Sequence, residues 1–464
     1  VIDRGDANTA TASGNKTYSA LTSVFGRVNY SYKDRYLFEA NVRHDGSSKF
    51  ARGHRWGTFP SFSAAWRISE ETFFSSLKSA VQNLKVRASW GKLGNQSIDD
   101  YLSMSTYAIV GGGTRFYLFD GAVQSLMTES VMGNNIITWE TSTNLNFGLD
   151  VNVLNNRLGF TFDWYNRDTD DILLSLEAPS LLGITPPISN AGKVRNRGWE
   201  LTLNWQDRIG EDFSYNVGFM LSDVKNKILD MHGYKSPTSS LTTRIEGEPI
   251  DALFGWQTLG LADTQEKYEQ YKDVMLTYNS NFSMGDIIIE DLNKDGKITE
   301  ADKKIIGNQI PRYTFSLNLG FNYKAVDFSA MFQGVGKVDG FLGRDIIEPL
   351  GSQTAMEEHY YDSFDPSNPT TGKYYPRMTM ANRLNYANMS HWVQDASYLR
   401  LKNLQVGYTF KFGEKSPIER TRIYFSGSNL FTLTNYRVFD PENGLNTTSF
   451  PNSRVYSIGA NVTF

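Results

Sequence analysis

Apolar and polar positions alternate one by one through most of this chain. At its end, Tyr456, Ile458, Ala460, Val462 and Phe464 alternate with Ser457, Gly459, Asn461 and Thr463. Alternate side chains of a strand point to opposite faces, so this segment has one greasy face and one wet face. The same period recurs at Thr22–Tyr32, Arg35–Asp45, Trp56–Ile68, Asn83–Gly91, Thr143–Val153 and Leu158–Trp164. It returns at Trp199–Trp205, Phe213–Leu221, Phe315–Tyr323, Val326–Gly334, Leu404–Phe410 and Ile423–Phe431. Together these predict about thirteen strands, each near the roughly 9–11 residues that a tilted membrane strand needs. The connections alternate in length. Lys33-Asp34, Asn155-Asn156, Asp207 to Asp212, Lys324 to Asp327 and Phe412 to Arg420 are short. Leu93 to Glu140, Asp168 to Arg197, Lys225 to Arg312, Lys337 to Ala396 and Leu433 to Asn452 are long, and His44 to Arg55 is of middling length. Short turns at one end and long loops at the other describe the periplasmic and extracellular ends of an outer-membrane barrel. Structureless connections of such length would be odd in a compact soluble domain. The predicted fold is all-β: a transmembrane antiparallel β-barrel segment with long extracellular loops, whose first strand starts outside and whose last ends in the periplasm.

Composition sharpens this picture. Aromatic residues are 14% of the chain, with 25 Tyr, 29 Phe and 9 Trp, enough for girdles at both membrane interfaces. Apolar residues are only 40%, and no stretch approaches the roughly 18 consecutive apolar residues of a spanning helix. There is no cysteine, which excludes disulfides, thiolate metal sites and cysteine nucleophiles. A net charge of −4 with scattered basic residues argues against nucleic acid as a partner. The N-terminal stretch VIDRGDANTATASGNKTYSA has no secretion-signal pattern, so the chain reads as the C-terminal part of a longer protein.

Several motifs then carry a family resemblance. YKDRYLFEANVRHDGSSKF, RWGTFPSFSAAWRISEE, WGKLGNQ, WETSTNLNFGLD, NAGKVRNRGWEL, GDIIIEDLNKDGKI, YLRLKNLQVGYTF and GSNLFTLTNYRVFDPE follow one another from Tyr32 to Glu442. In that order they resemble the SusC/RagA family of TonB-dependent transporters. The resemblance implies a bacterial outer-membrane importer whose barrel of roughly 22 strands holds a plug. It implies a SusD-like surface lipoprotein as lid, TonB as the energy source, and an oligosaccharide or oligopeptide as cargo. A plug, a TonB box and about nine further strands have no counterpart in this sequence. Phe464, Val462 and Tyr456 are the expected assembly signal for the barrel-assembly machinery, and the outer faces of the strands are expected to meet outer-membrane lipid. A siderophore-type receptor and a non-transporting glycan-binding or adhesin barrel are the alternatives.

Candidate chemistry lies in the loops. Within residues 285–307, Asp291, Asn293, Asp295, the Lys297 carbonyl and Asp302 match the oxygen positions of a calcium loop, with Gly296 at the turn. The segment reads either as a structural calcium site or as an Asn/Asp/Gly turn that needs no metal. Trp256, Tyr360, Tyr374 and Trp392, with Tyr361, Phe364 and Tyr375, are candidates to stack on sugar rings or peptide side chains; packing between loops is the competing reading. Glu39, Arg43, Arg87, Glu200 and Asn318 are expected to face the lumen and hold a plug. The five histidines lack metal spacing, no G-x-S-x-G elbow occurs, and Gly111-Gly112-Gly113 lacks a following helix. No catalytic residue is expected, and the chain is not expected to be an enzyme.

Overall fold

The computed structural model describes residues 14 and 16–464, apart from 111–116, 120, 121, 125, 176–185, 234–239, 349–357, 380–382, 414, 415, 438, 439 and 445–449. The Gly111-Gly112-Gly113 stretch and residues 1–13 lie outside the described residues. Thirteen strands join edge to edge in chain order to form one antiparallel wall. They are β1 (Leu21–Tyr32), β2 (Tyr36–Ser47), β3 (Trp56–Arg67), β4 (Val81–Asn95), β5 (Glu140–Val153), β6 (Leu158–Asp170) and β7 (Lys193–Ile209). Then come β8 (Phe213–Asp230), β9 (Arg312–Tyr323), β10 (Val326–Lys337), β11 (Tyr398–Lys411), β12 (Arg420–Ser428) and β13 (Val455–Thr463). A short strand, Thr432–Thr434, pairs with the start of β11. β1 and β13 are the two edges of this sheet, which is not closed on itself.

Every expected strand is present, and the period of two explains why. Tyr30, Phe38, Ala64 and Ala88 lie opposite one another across β1 to β4, and the same outward row continues through Phe147 and Trp164 to Trp199. Toward the other edge, Val217, Leu319 and Ala330 share a row with Leu404. Such a register is strongly specified, because a slip of one residue would turn a whole strand's apolar set to the opposite face. Aromatic rings mark the two ends of the band. Tyr36 stacks on Trp66 at the short-turn end, with ring centroids 6.3 Å apart, and Phe62 stacks on Trp90 at the other, 6.1 Å apart.

Turn chemistry fits the expectation. Lys33 and Asp34 both take positive φ (50° and 54°), the left-handed pair that matches the twist of a two-residue hairpin. The longer connection between β3 and β4 is anchored by Glu71, whose carboxylate accepts from Tyr36 Oη (2.6 Å), Trp66 Nε1 (3.0 Å) and Arg35 Nη1 (3.2 Å).

Two expectations are corrected. β4, β7 and β8 run for 15, 17 and 18 residues, beyond the length a membrane needs. The extra length of β7 and β8 stands above the apolar band, where Val194 and Ile228 pack with Met231 against loop residues Ile172, Leu174 and Ile250. β12 ends at Ser428 rather than Phe431. Asn429 there takes a positive φ of 55°, and Leu430 N–H donates to Leu401 O at 3.1 Å, handing the chain to the neighbouring strand.

Among the described residues, the largest buried apolar cluster lies mostly outside the wall, reaching it at Val335 and Tyr398. The connections 231–311 and 338–397 fold together into one lobe whose centre includes Leu253, Trp256, Ile287, Ile288, Ile289, Leu342, Phe364 and Trp392. A helix within it, α1 (Gln265–Tyr278), starts at Thr264, whose hydroxyl accepts from Lys267 N–H at 3.2 Å. Cross-links join the two connections: Thr258 N–H donates to Ser390 Oγ (2.9 Å), and Ile287 N–H to Asn385 Oδ1 (3.0 Å). Asp286, fully buried, accepts from Arg377 Nε at 2.7 Å and from Asn385 Nδ2 at 2.9 Å.

Trp392 is 0% exposed, and its Nε1 donates to Asn385 O at 2.8 Å. Trp392→Ala is expected to cost the lobe about 3–5 kcal/mol through cavity formation and lost burial. Limited proteolysis of the protein should then cut within 338–397 much faster, with the heat-modifiable gel mobility of the wall unchanged. Unaltered cleavage would show that the ring does not support the lobe.

Candidate functional site

The inner face of the wall carries the polar positions of its strands. Glu39, Arg43, Arg87, Glu200 and Asn318 all fall on inward positions of their strands, out of phase with the apolar rows. Around Arg87 the wall assembles a charged cluster. Its Nε and Nη2 donate to Asp150 at 2.9 and 3.0 Å, and Nη2 also donates to Asp163 at 2.9 Å. Lys85 Nζ stands 3.4 Å from Asp150. Gly148 makes this reach possible: a Cβ there would lie 2.5 Å from the guanidinium carbon. The cluster links β4, β5 and β6, and Asn146, Ser89 and Tyr165 border the same groove.

Charge-assisted, forked hydrogen bonds of this kind are strong and fix orientation. They do not use all of the wall's capacity. Asn146 Oδ1 and Asp163 Oδ1 are buried acceptors without a hydrogen-bond partner among the described residues. Buried polar atoms normally find partners, so an inner face with open acceptors is suited to meeting polar matter. Asp150, Asp163 and Tyr165 were not singled out from sequence. Their signal was available as strand parity: each occupies an inward position facing the row of Arg87.

The loop aromatics occupy a different place. Trp256, Tyr360, Phe364, Tyr375 and Trp392 are buried in the lobe. Trp256 Nε1 donates to Thr299 O at 3.1 Å, and Lys303 Nζ sits 4.0 Å above its ring. Tyr374 is partly buried; its Oη donates to His391 O at 2.9 Å and accepts from Gln394 Nε2 at 3.0 Å, with the Arg437 guanidinium 4.6 Å over the ring. Tyr361 alone of the seven is broadly exposed, at 88%. The rings therefore join loop to loop, and little of their surface faces outward. Burial pushes the Tyr278 and Tyr375 phenols up to about 12. The same cause holds the His391 imidazole below its ordinary range. His391 Nε2 donates to Tyr374 O at 2.7 Å, and its ring stacks on Tyr374 at 4.8 Å.

The acidic loop is closed by its own backbone. Asp291 accepts from Lys294 N–H (2.7 Å) and Gly296 N–H (2.8 Å), and Asp295 from Lys297 N–H (2.9 Å). Asn293 Oδ1 accepts from Asp295 N–H at 2.9 Å. Asp302, fully buried, accepts from Leu292 N–H (3.0 Å), Asn293 N–H (3.4 Å) and Thr299 N–H (2.7 Å). Lys294 and Gly296 take the positive φ values (60° and 80°) that curl the chain around these carboxylates. Among the described residues, no three His, Asp or Glu side chains converge as metal ligands. A cation at the twelfth position would have to compete with amides for Asp302.

Two outcomes follow from the lobe. Asp302→Ala leaves buried amides unpaired, at about 1–3 kcal/mol. Cleavage within residues 291–302 should rise equally with and without calcium; cleavage that rises only with calcium present would make the ion, not the amides, the closing element. His391 has a depressed folded pKa, so the unfolded state takes up the proton first as pH falls below about 6.5. Lobe stability should decline from pH 7 to pH 5 by proteolysis, and His391→Gln should flatten that decline.

Comparison with known proteins agrees with the wall. Residues 2–430 match the family model described as TonB dependent receptor-like, beta-barrel. TonB-dependent receptor P3 of Formosa agariphila is 32% identical over 99% of this chain and 47% of its own length. TonB-dependent receptor SusC of Bacteroides thetaiotaomicron is 27% identical over 97% of this chain and 44% of its own. The solved structure of the RagAB peptide transporter superposes with a TM-score of 0.80 at 23% identity, over 96% of this chain and 47% of that one. The chain thus spans about half the length of the relatives it matches. It belongs to the TonB-dependent receptor β-barrel family, an outer-membrane family, and SusC is among its relatives.

Proposed function

We propose that this chain forms a large part of the barrel wall, and the external lobe, of a TonB-coupled outer-membrane importer for oligosaccharides or oligopeptides. The observation that carries this reading is the inner face: an inward polar cluster of Arg87, Asp150 and Asp163, backed by an outward apolar row that runs from Tyr30 on β1 to Trp199 on β7. Such a wall suits a polar solute and an enclosed plug, and it carries no catalytic grouping of its own in this reading. The lobe, with its two connections cross-linked at the long-loop end of the wall, suits a surface lipoprotein of the SusD type as partner. The names of the relatives lean the same way, toward TonB dependence in SusC and toward peptide in RagAB.

The test is uptake of labelled oligosaccharides and oligopeptides by cells whose full-length receptor carries R87Q, D150N and D163N together. Uptake of one class should fall about tenfold, a change of about 1.4 kcal/mol, with surface abundance unchanged. Wild-type uptake should also vanish when TonB is deleted. Uptake that ignores both changes would overturn the importer reading and leave a binding barrel.

A further inference from the structure

The outward face of the wall carries one feature that import does not use. On β7, Asp207 and Arg197 bracket the outward apolar residues Trp205, Leu203, Leu201 and Trp199. The strand climbs about 33 Å between those two polar positions, or about 25 Å once a barrel tilt of roughly 40° is applied, which is the height of the lipid-facing band. Arg197 therefore sits at the headgroup level of the external leaflet, just above the Trp164–Trp199 pair, with its guanidinium 5.9 Å over the Trp164 ring.

Basic residues crowd this level. Arg197 lies directly opposite Lys225, and Arg195 directly opposite Lys227, in the β7–β8 register. Like charges facing each other across a ladder are destabilising. The outward carboxylates nearby are committed elsewhere: on β6 Asp168 accepts from Arg195 Nη2 at 2.6 Å and Asp170 lies 2.7 Å from Lys193 Nζ, and on β8 Asp223 pairs with Arg312. That leaves Arg197, Lys225 and Lys227, all exposed, as an outward triad of like charge. The ladder from β8 to β9 stops at Ser222–Thr314, and beyond it the edge of β8 is taken by the connection that follows: Ile228 N–H donates to Glu248 O and Gly247 N–H to Ile228 O, both at 2.9 Å, so Lys225 and Lys227 keep their exposure on the outward face.

We propose that Arg197, Lys225 and Lys227 form a binding site for the phosphate of an outer-leaflet glycolipid headgroup. The anion relieves the repulsion between Arg197 and Lys225, while Trp164 and Trp199 meet the upper acyl region beneath it. Basic side chains at a membrane surface attract anionic headgroups in this way, and aromatic rings sit at the same interface. The site makes the wall selective for its surrounding lipid, independently of what crosses the lumen.

The experiment uses the full-length receptor in phosphatidylcholine nanodiscs doped with phosphorylated lipid A or with its dephosphorylated form. Glycolipid retained after detergent release is counted by native mass spectrometry. Wild type should retain the phosphorylated form at least about tenfold over the dephosphorylated form, given three basic residues at the surface. R197Q/K225Q/K227Q should lose that preference, whereas the charge-keeping R197K/K225R/K227R and the opposite-end control K33Q/K324Q should keep it. Should the triple glutamine variant fail to show heat-modifiable mobility, K225Q/K227Q replaces it. No preference in wild type, or an undiminished preference in the glutamine variants, overturns the proposal.

Discussion

Everything in this molecule depends on the pairing of backbone amides between neighbouring strands. In hydrocarbon an unpaired N–H or C=O has no water to turn to, so a spanning sheet must satisfy each group with its neighbour. That requirement fixes the register from β1 to β13, and the register fixes which side chains meet lipid and which meet the lumen. Arg87 reaches Asp150 and Asp163 only because β4, β5 and β6 are held in this alignment and because Gly148 leaves room for the guanidinium. The outward apolar rows and the inward charged cluster are two readings of one ladder.

The lobe obeys a different rule. Its stability comes from burial, as in a soluble domain, and its polar groups are paired inside it: Asp286 with Arg377 and Asn385, Asp302 with three amides. The wall and the lobe therefore respond to different perturbations. Acidification and loss of a buried ring act on the lobe, while a change of register would act on the wall.

The wall was legible in the sequence because a period of two is visible residue by residue. The lobe was less so. Its helix α1 was passed over, although Tyr268, Tyr271, Val274, Met275 and Tyr278 recur at helical spacing and all contribute to the lobe's core. The roles of Trp256, Tyr360 and Trp392 could not be read from composition, since a ring that binds a ligand and a ring that joins two loops look alike in a sequence. What separates them is burial, and burial here arises from contacts more than a hundred residues apart, such as Thr258 with Ser390. The spacing of Asp302 fits a calcium ligand and an Asn/Asp/Gly turn alike, and what spacing does not show is that its two oxygens accept from amides through the turn at Thr299.

The shared core of the lobe also bears on how such a protein can change over generations. Loops are the usual place for variation, because each can be exchanged without disturbing its neighbours. Here neither long connection holds its own interior: Trp256 and Ile288 come from one, Trp392 and Phe364 from the other. Recombination that replaced one connection alone would join two half-cores of unrelated shape. Diversification of this outer surface must then proceed by exchanging both connections as a block, together with the β9–β10 hairpin that lies between them in the chain, or by substitutions confined to its exposed skin.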